Sequence, residues 1–224
     1  MTALVPKPDQ SRQPMSRKVY DTLLSRFISA NLEPGSKITI DALARELSVS
    51  PTPIREALER LETNGFVVRL LNSGYRIAPK MNRQQFESLV EIRVALEPLA
   101  AALAAERMTG EQLRYLQSVA DRMAQDDGGS AREAYALFAQ HDEEFHDAIA
   151  IGGENELIRD ALARLGIHVR LFQLVYQSRI RTDAIVEHQT VLDAIKSGDT
   201  EASAYQMKQH ILRSASRFRA SFDT

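Results

Sequence analysis

The sequence predicts a mainly α-helical protein in two parts. The N-terminal part has three helices and a β-hairpin, and the C-terminal part is an all-helical bundle of about six helices. Apolar residues recur at helical spacing along most of the chain, and the period changes to two only over residues 66–77. With 224 residues and 44% hydrophobic content, the chain is long enough to bury two cores.

Three short helices are predicted before the hairpin. The first spans residues 16–31, where apolar side chains repeat along one face. The second and third helices follow Thr39 and Ser50, whose hydroxyls can cap a helix N-terminus. Pro51 suits the first turn of the third helix, because its missing N–H would have no intrahelical partner there.

The hairpin follows the third helix directly. Side chains alternate over residues 66–70 and again over residues 75–77, and Asn72-Ser73-Gly74 between them is a turn sequence. Three helices followed by a hairpin are typical of a winged helix-turn-helix, here residues 16–79. Residues 1–15 contain three prolines and are predicted to form a flexible tail.

Residues 82–222 have helical periodicity throughout and are predicted to form the second domain. We expect its first helix to be kinked or split at Pro98, which lacks an N–H and clashes with the carbonyl four residues earlier. Five breaks divide the segment into about six helices: Thr109-Gly110, Asp127-Gly128-Gly129, Gly152-Gly153, residues 178–183 and Ser197-Gly198.

Composition excludes several classes of protein. The chain has no cysteine, so it has no disulfide framework, no Cys-ligated zinc or iron-sulfur site and no thiol nucleophile. It has no run of about 18 apolar residues, so no membrane partner is expected. These features, and the lack of a signal-like N-terminus, predict a cytoplasmic location.

The charge is distributed unevenly along the chain. Residues 1–80 carry 12 Lys and Arg against 8 Asp and Glu, whereas residues 81–224 carry 16 against 22. A polyanion such as DNA would therefore meet the N-terminal part.

The third helix carries the candidate DNA contacts. Thr52, Arg55 and Glu59 lie on the face opposite its apolar stripe. Side chains on the first turns of such a helix reach base edges in the major groove, and its N-terminal amides can bind a phosphate. Alternatively, Arg55 and Glu59 form a solvated pair at i, i+4.

The segment LEPGSKITIDALARELSVSPTPIREALERLETNGFVVRLLNSGYRIA resembles the DNA-binding domain of the GntR family of bacterial transcriptional regulators. The resemblance covers about residues 16–79. It implies binding to a double-stranded DNA operator, and many members have Arg where Pro51 stands here, so the operator sequence does not carry over. The implied DNA contacts are Arg45, Ser50, Thr52, Arg55 and Gly74.

Asp142 and His146 are spaced i, i+4, so both side chains lie on one helix face and can reach one ion. The pair alone is more often a simple side-chain contact than a metal site. His188 and His210 lie on later helices, each beside apolar residues.

The C-terminal region resembles the FCD effector domain of the FadR branch of the same family. In that domain the patterns D-x-x-F-H, E-H-x-x-[IL] and a late H-[IL] provide an Asp and three His to a divalent metal. The resemblance implies that Asp142, His146, His188 and His210 are the metal ligands here. Such donors suit Zn²⁺ or Ni²⁺ and leave room for a ligand oxygen.

Arg93 resembles a basic residue of the family's effector pocket and could bind a carboxylate; alternatively it pairs with Glu97. The resulting hypothesis is a homodimeric, non-enzymatic regulator whose operator binding is controlled by a small organic acid at the metal. Two alternatives stay open: a metal-dependent hydrolase, and a regulator with a purely structural metal.

Overall fold

The computed structural model describes residues 15–29, 32–71, 74–125, 131–174 and 178–222. Most of the predicted tail, residues 1–14, lies outside them, as do Asn72 and Ser73 of the predicted turn and residues 127–129 of one predicted break. Helix α1 begins at Met15, the last residue assigned to the tail.

The N-terminal domain contains the three helices and the hairpin that the sequence predicts. Its core joins all of these elements, with Tyr20, Ile54 and Leu58 fully buried. The elements are α1 (Met15–Ser29), β1 (Lys37–Ile38), α2 (Ile40–Glu46), α3 (Pro51–Thr63), β2 (Val67–Leu70) and β3 (Gly74–Ile77).

The wing is a three-stranded antiparallel sheet in the order β1-β3-β2. Strand β1 was not predicted, because two residues are too short to show a period. In β3, Tyr75 and Ile77 point into the core as expected. In β2, only Val67 is buried, so the alternation predicted from Phe66 to Leu70 is not followed there.

The described residues of the C-terminal domain form seven α-helices rather than about six. The fourth predicted segment is two helices, because Gly166 adopts a left-handed conformation (φ 55°) and ends the first of them. The helices are α4 (Arg83–Arg107), α5 (Gly110–Ala124), α6 (Ala131–Gly152), α7 (Glu156–Leu165), α8 (Ile167–Leu174), α9 (Ser178–Lys196) and α10 (Thr200–Arg219).

One further prediction about these helices was wrong. Residues 178–183 are not a break but the first turns of α9. Helix α4 is not split at Pro98 and runs on to Arg107, and a kink at Pro98 stays a prediction. The breaks near residues 109, 152 and 198 are confirmed, and Thr109 and Gln112 form a capping box at the start of α5.

The two domains pack against each other through α1 and the end of α3 on one side and α6, α7 and α8 on the other. The Nε2 of Gln140 on α6 donates a hydrogen bond to the backbone oxygen of Asp21 on α1 at 2.7 Å. The backbone of Gly166 lies directly against Asn64, the residue that ends α3. No pattern in the sequence indicated this interface.

Candidate functional site

The first candidate site is the exposed face formed by α2, α3 and the wing. Thr52 and Arg55 are exposed on the first turn of α3, as the periodicity predicts. Ser50 occupies the N-cap position, but its side chain makes no capping hydrogen bond, contrary to expectation. Its exposed hydroxyl is therefore not used by the helix and is accessible to a partner.

Two other predicted DNA contacts are also exposed. Arg45 lies near the end of α2, with its Nε 3.3 Å from the backbone oxygen of Asp41. Gly74 begins β3 with φ 73°, a conformation that glycine adopts without strain. Their roles in DNA binding stay predictions.

The second candidate site is a buried cluster of three histidines in the C-terminal domain. His146 on α6, His188 on α9 and His210 on α10 each offer a ring nitrogen, and these atoms lie within 4.8 Å of one another. All three side chains are buried. The sequence patterns therefore identified residues from three helices that the fold brings together.

Asp142 lies one helical turn before His146 and contacts His188, one of the three clustered histidines. Its Oδ1 is 3.0 Å from the Nε2 of His188, and that nitrogen is 3.3 Å from the Nε2 of His146. Ligand atoms bound at about 2.1 Å to one ion are about 3.0 to 3.4 Å apart in neighbouring positions. The spacing of these donors thus fits a shared divalent ion.

Each of two histidines is paired on its other ring nitrogen with a buried glutamate. The Nδ1 of His146 is 2.7 Å from the Oε2 of Glu97, and the Nδ1 of His210 is 3.0 Å from the Oε2 of Glu187. Carboxylates at this position orient histidines that bind metals. Sequence analysis missed both roles, although each glutamate lies in a segment already singled out.

An arginine in turn pairs with each glutamate. Arg93 contacts both oxygens of Glu97, at 2.5 Å and 3.3 Å. Arg217 contacts both oxygens of Glu187, at 2.7 Å and 2.8 Å. The alternative interpretation of Arg93, an i, i+4 pair with Glu97, is therefore what the structure contains; effector binding by Arg93 stays a prediction.

These partners control the charge of the cluster. Burial alone would raise the pKa of Glu97, but Arg93 and His146 outweigh it and hold the pKa well below its usual range. Arg217 and His210 likewise outweigh burial and lower the pKa of Glu187 to about 2. Both glutamates are therefore ionised at neutral pH.

Burial, reinforced by the neighbouring His188, lowers the pKa of His210 to about 3. The ring of His210 is therefore neutral at pH 7. A neutral imidazole is the form that binds a metal ion.

A cavity of about 900 Å³ connects this cluster with the domain interface. From the C-terminal domain its lining includes His146 and Glu97, and Leu162 and Ala163 of α7. From the DNA-binding domain it includes Arg17 and Asp21 of α1, Arg60 and Thr63 of α3, and Asn64. One space is therefore bounded by both domains.

Comparison with known proteins agrees with this architecture. The family described as "Bacterial regulatory proteins, gntR family" matches residues 15–77, and the FCD domain family matches residues 88–213. No helix among the described ranges is long and apolar enough to cross a membrane.

Two curated relatives are transcriptional regulators by name. The Nta operon transcriptional regulator of Aminobacter aminovorans is 34% identical over 155 residues, which cover 68% of this chain and 70% of the relative. The uncharacterized HTH-type transcriptional regulator YcbG of Bacillus subtilis (strain 168) is 29% identical over 216 residues, covering 90% and 88% of the two chains.

The solved structure of E. coli McbR/YncC has the same fold, with a TM-score of 0.69 at 23% identity over 94% of this chain and 100% of that one. The matched domains together span most of the described residues. The chain therefore belongs to the gntR family of bacterial regulatory proteins, and its C-terminal domain is an FCD domain.

Proposed function

We propose that this transcriptional regulator binds its operator under the control of a small organic acid, which is held at a divalent metal in the histidine cluster. One observation carries the proposal: the cavity that reaches His146 is also lined by α1 and α3 of the DNA-binding domain. A ligand in this cavity would contact both domains, so its binding free energy can depend on their relative arrangement.

Asp142, His146, His188 and His210 would hold the ion. Imidazole and carboxylate donors suit Zn²⁺ or Ni²⁺, and the neutral His210 and the two paired glutamates support this use of the cluster. When bound, the ion supplies Lewis-acidic coordination positions for a carboxylate or hydroxyl oxygen of the effector.

The charge of the cavity supports a metal-dependent effector. Its described lining residues include four arginines and six carboxylates, a net charge of −2. The net negative charge of this lining would repel an organic acid. A divalent cation beside His146 would offset that negative charge. We therefore expect acid binding to require the metal.

The exposed Thr52, Arg55 and Ser50 support DNA recognition by the N-terminal turn of α3. One winged helix buries too small an interface to select an operator among the competing sites of a genome. A homodimer on a roughly palindromic site supplies the second copy, and its symmetry axis would coincide with that of the DNA.

The test begins with footprinting to find the operator and compares wild type with His188→Ala. We expect wild type to carry about one Zn²⁺ or Ni²⁺ per chain and to respond to one acid from a panel of di- and hydroxycarboxylates. His188→Ala should lose the metal and the response but still bind DNA. Stoichiometric metal in His188→Ala, or equally tight acid binding after chelation, would contradict the proposal.

The same samples separate the two alternatives. Turnover of ester or amide substrates by the metal-loaded chain would favour a hydrolase. A metal that stabilises the domain while no acid alters operator binding would favour a structural role. Light scattering reports whether the chain is a dimer at micromolar concentration.

A further inference from the structure

The three histidines of the cluster differ in what lies behind them. His146 and His210 each have a glutamate at Nδ1, and each glutamate is held by an arginine. His188 has no such pair: within the described part of the chain its contact with a carboxylate, Asp142, is made by Nε2, and no glutamate lies at its buried Nδ1. The cluster is thus made of two supported rings and one unsupported ring.

The supported rings have a defined proton position. Each glutamate accepts hydrogen bonds from an arginine through both of its oxygens, and a carboxylate held in this way accepts further hydrogen bonds and donates none. The proton of a neutral His146 or His210 therefore lies on Nδ1, next to the glutamate. Their Nε2 atoms carry lone pairs, which is the form a metal ion requires.

The unsupported ring, His188, favours the other tautomer, with its proton on Nε2. The Nε2 of His188 lies 3.0 Å from a carboxylate oxygen of Asp142 and 3.3 Å from the Nε2 of His146. Both neighbours are acceptors, since the His146 proton is on the other side of its ring. His188 must then carry its own proton on Nε2, which agrees with the missing partner at Nδ1.

We propose that Glu97 and Glu187 are positioning residues that preset His146 and His210 for a metal ion, and that His188 is a tautomeric switch. In metal-free protein the Nε2–H of His188 donates a hydrogen bond to Asp142. If its Nε2 became a ligand, that nitrogen would release its proton to water and Nδ1 would take one up from water, so the number of protons on the ring would not change. The inference rests on the metal site proposed above and assigns Arg93 and Arg217 to holding the two glutamates.

The direct test is the tautomer of each histidine in the full chain labelled with ¹⁵N, read from long-range ¹H–¹⁵N correlations. In chelated protein we expect the proton on Nδ1 for His146 and His210 and on Nε2 for His188. After addition of Zn²⁺ we expect it on Nδ1 for all three. A His188 ring that already has its proton on Nδ1 in chelated protein would overturn the switch.

Variants test the two glutamates. Glu97→Leu and Glu187→Leu each remove one acceptor and should abolish the Nδ1–H preference of His146 and His210, respectively. Each should also weaken Zn²⁺ binding by about 10- to 100-fold. An unchanged tautomer and unchanged Zn²⁺ affinity in these variants would overturn the positioning role.

Glu87→Leu is the matched control. Glu87 is on the same helix as Glu97 and pairs through both oxygens with Arg219, but within the described ranges it makes no contact with a histidine. It should leave tautomers and Zn²⁺ affinity unchanged. If Glu97→Leu does not fold with Arg93 unpaired, the Arg93→Met/Glu97→Leu double variant removes both charges and takes its place.

Different results would refute the proposed metal site and the positioning role of the two glutamates. The chelated spectra involve no metal, so they decide the positioning role by themselves. Failure of wild-type protein to bind Zn²⁺ or Ni²⁺ would refute the proposed metal site and the switch, whatever the chelated tautomers are.

Discussion

Gly166→Ala should weaken the packing of the DNA-binding domain against the FCD domain at one close backbone contact. Gly166 ends α7 in a left-handed conformation, and a Cβ there would lie 2.6 Å from the Cα of Asn64 and 2.8 Å from its carbonyl carbon. Carbon atoms in contact are normally about 3.5 to 4.0 Å apart. The end of α3 would have to move away by about 1 Å.

The expected cost has two parts. A left-handed conformation costs an L residue about 1 to 2 kcal/mol, and overpacking a close contact costs about 1 to 3 kcal/mol. Gly166→Ala should therefore lower the free energy of unfolding by about 2 to 5 kcal/mol. It should also increase proteolysis between the domains, because one of the contacts between them is disrupted.

Gly198→Ala isolates the first part of the cost. Gly198 also follows a helix with positive φ (72°), but a Cβ there meets its nearest atom, the oxygen of Ala105, at 3.9 Å. We expect a loss of only about 1 to 2 kcal/mol and no change in proteolysis. Equal losses for the two variants in urea denaturation would refute the close interdomain contact.

Three further results are expected. Arg55→Ala should weaken operator binding, measured by fluorescence anisotropy, by about 1 to 3 kcal/mol. Arg114 is also exposed, and Arg114→Ala should leave operator affinity unchanged. Equal operator affinities for the two variants would show that Arg55 on α3 does not contribute to DNA recognition. Tyr20→Phe removes the acceptor for the Asn64 amide (2.8 Å) and should cost about 1 kcal/mol of stability, with the exposed Tyr205→Phe as control. Because the pKa of His210 is lowered to about 3, the unfolded chain binds a proton below about pH 6.5 that the folded chain does not. Metal-free protein should therefore lose stability as the pH falls from 6.5 towards 3, and a constant urea midpoint across that range would contradict the assignment.

The sequence contained enough information for the helices that have an apolar stripe and for the ends marked by glycine or a capping side chain. The sequence was insufficient where the same local residues are compatible with either a helix or a break. Residues 178–183 indicated a break, yet the same residues form the first turns of α9. Gly166 was overlooked because the helices on both sides of it continue the same periodicity.

The candidate metal ligands were identified by resemblance, since spacing relates only Asp142 and His146, which share a helix. The residues behind them were missed for a physical reason. Whether Glu187 faces His210 depends on how α9 packs against α10, and no periodicity within one helix records that. The interface between the domains was missed for the same reason, because it too depends on how separate helices pack.

Helix α6 contributes Asp142 and His146 to the cluster and Gln140 to the contact with α1. In evolutionary terms, the proposed function would place two selective pressures on this helix, one for the ligand and one for the contact with the DNA-binding domain. A regulator of this design can acquire a new effector most freely through cavity residues outside α6. Leu162 and Ala163 on α7 are such positions, and they line the cavity without belonging to the cluster.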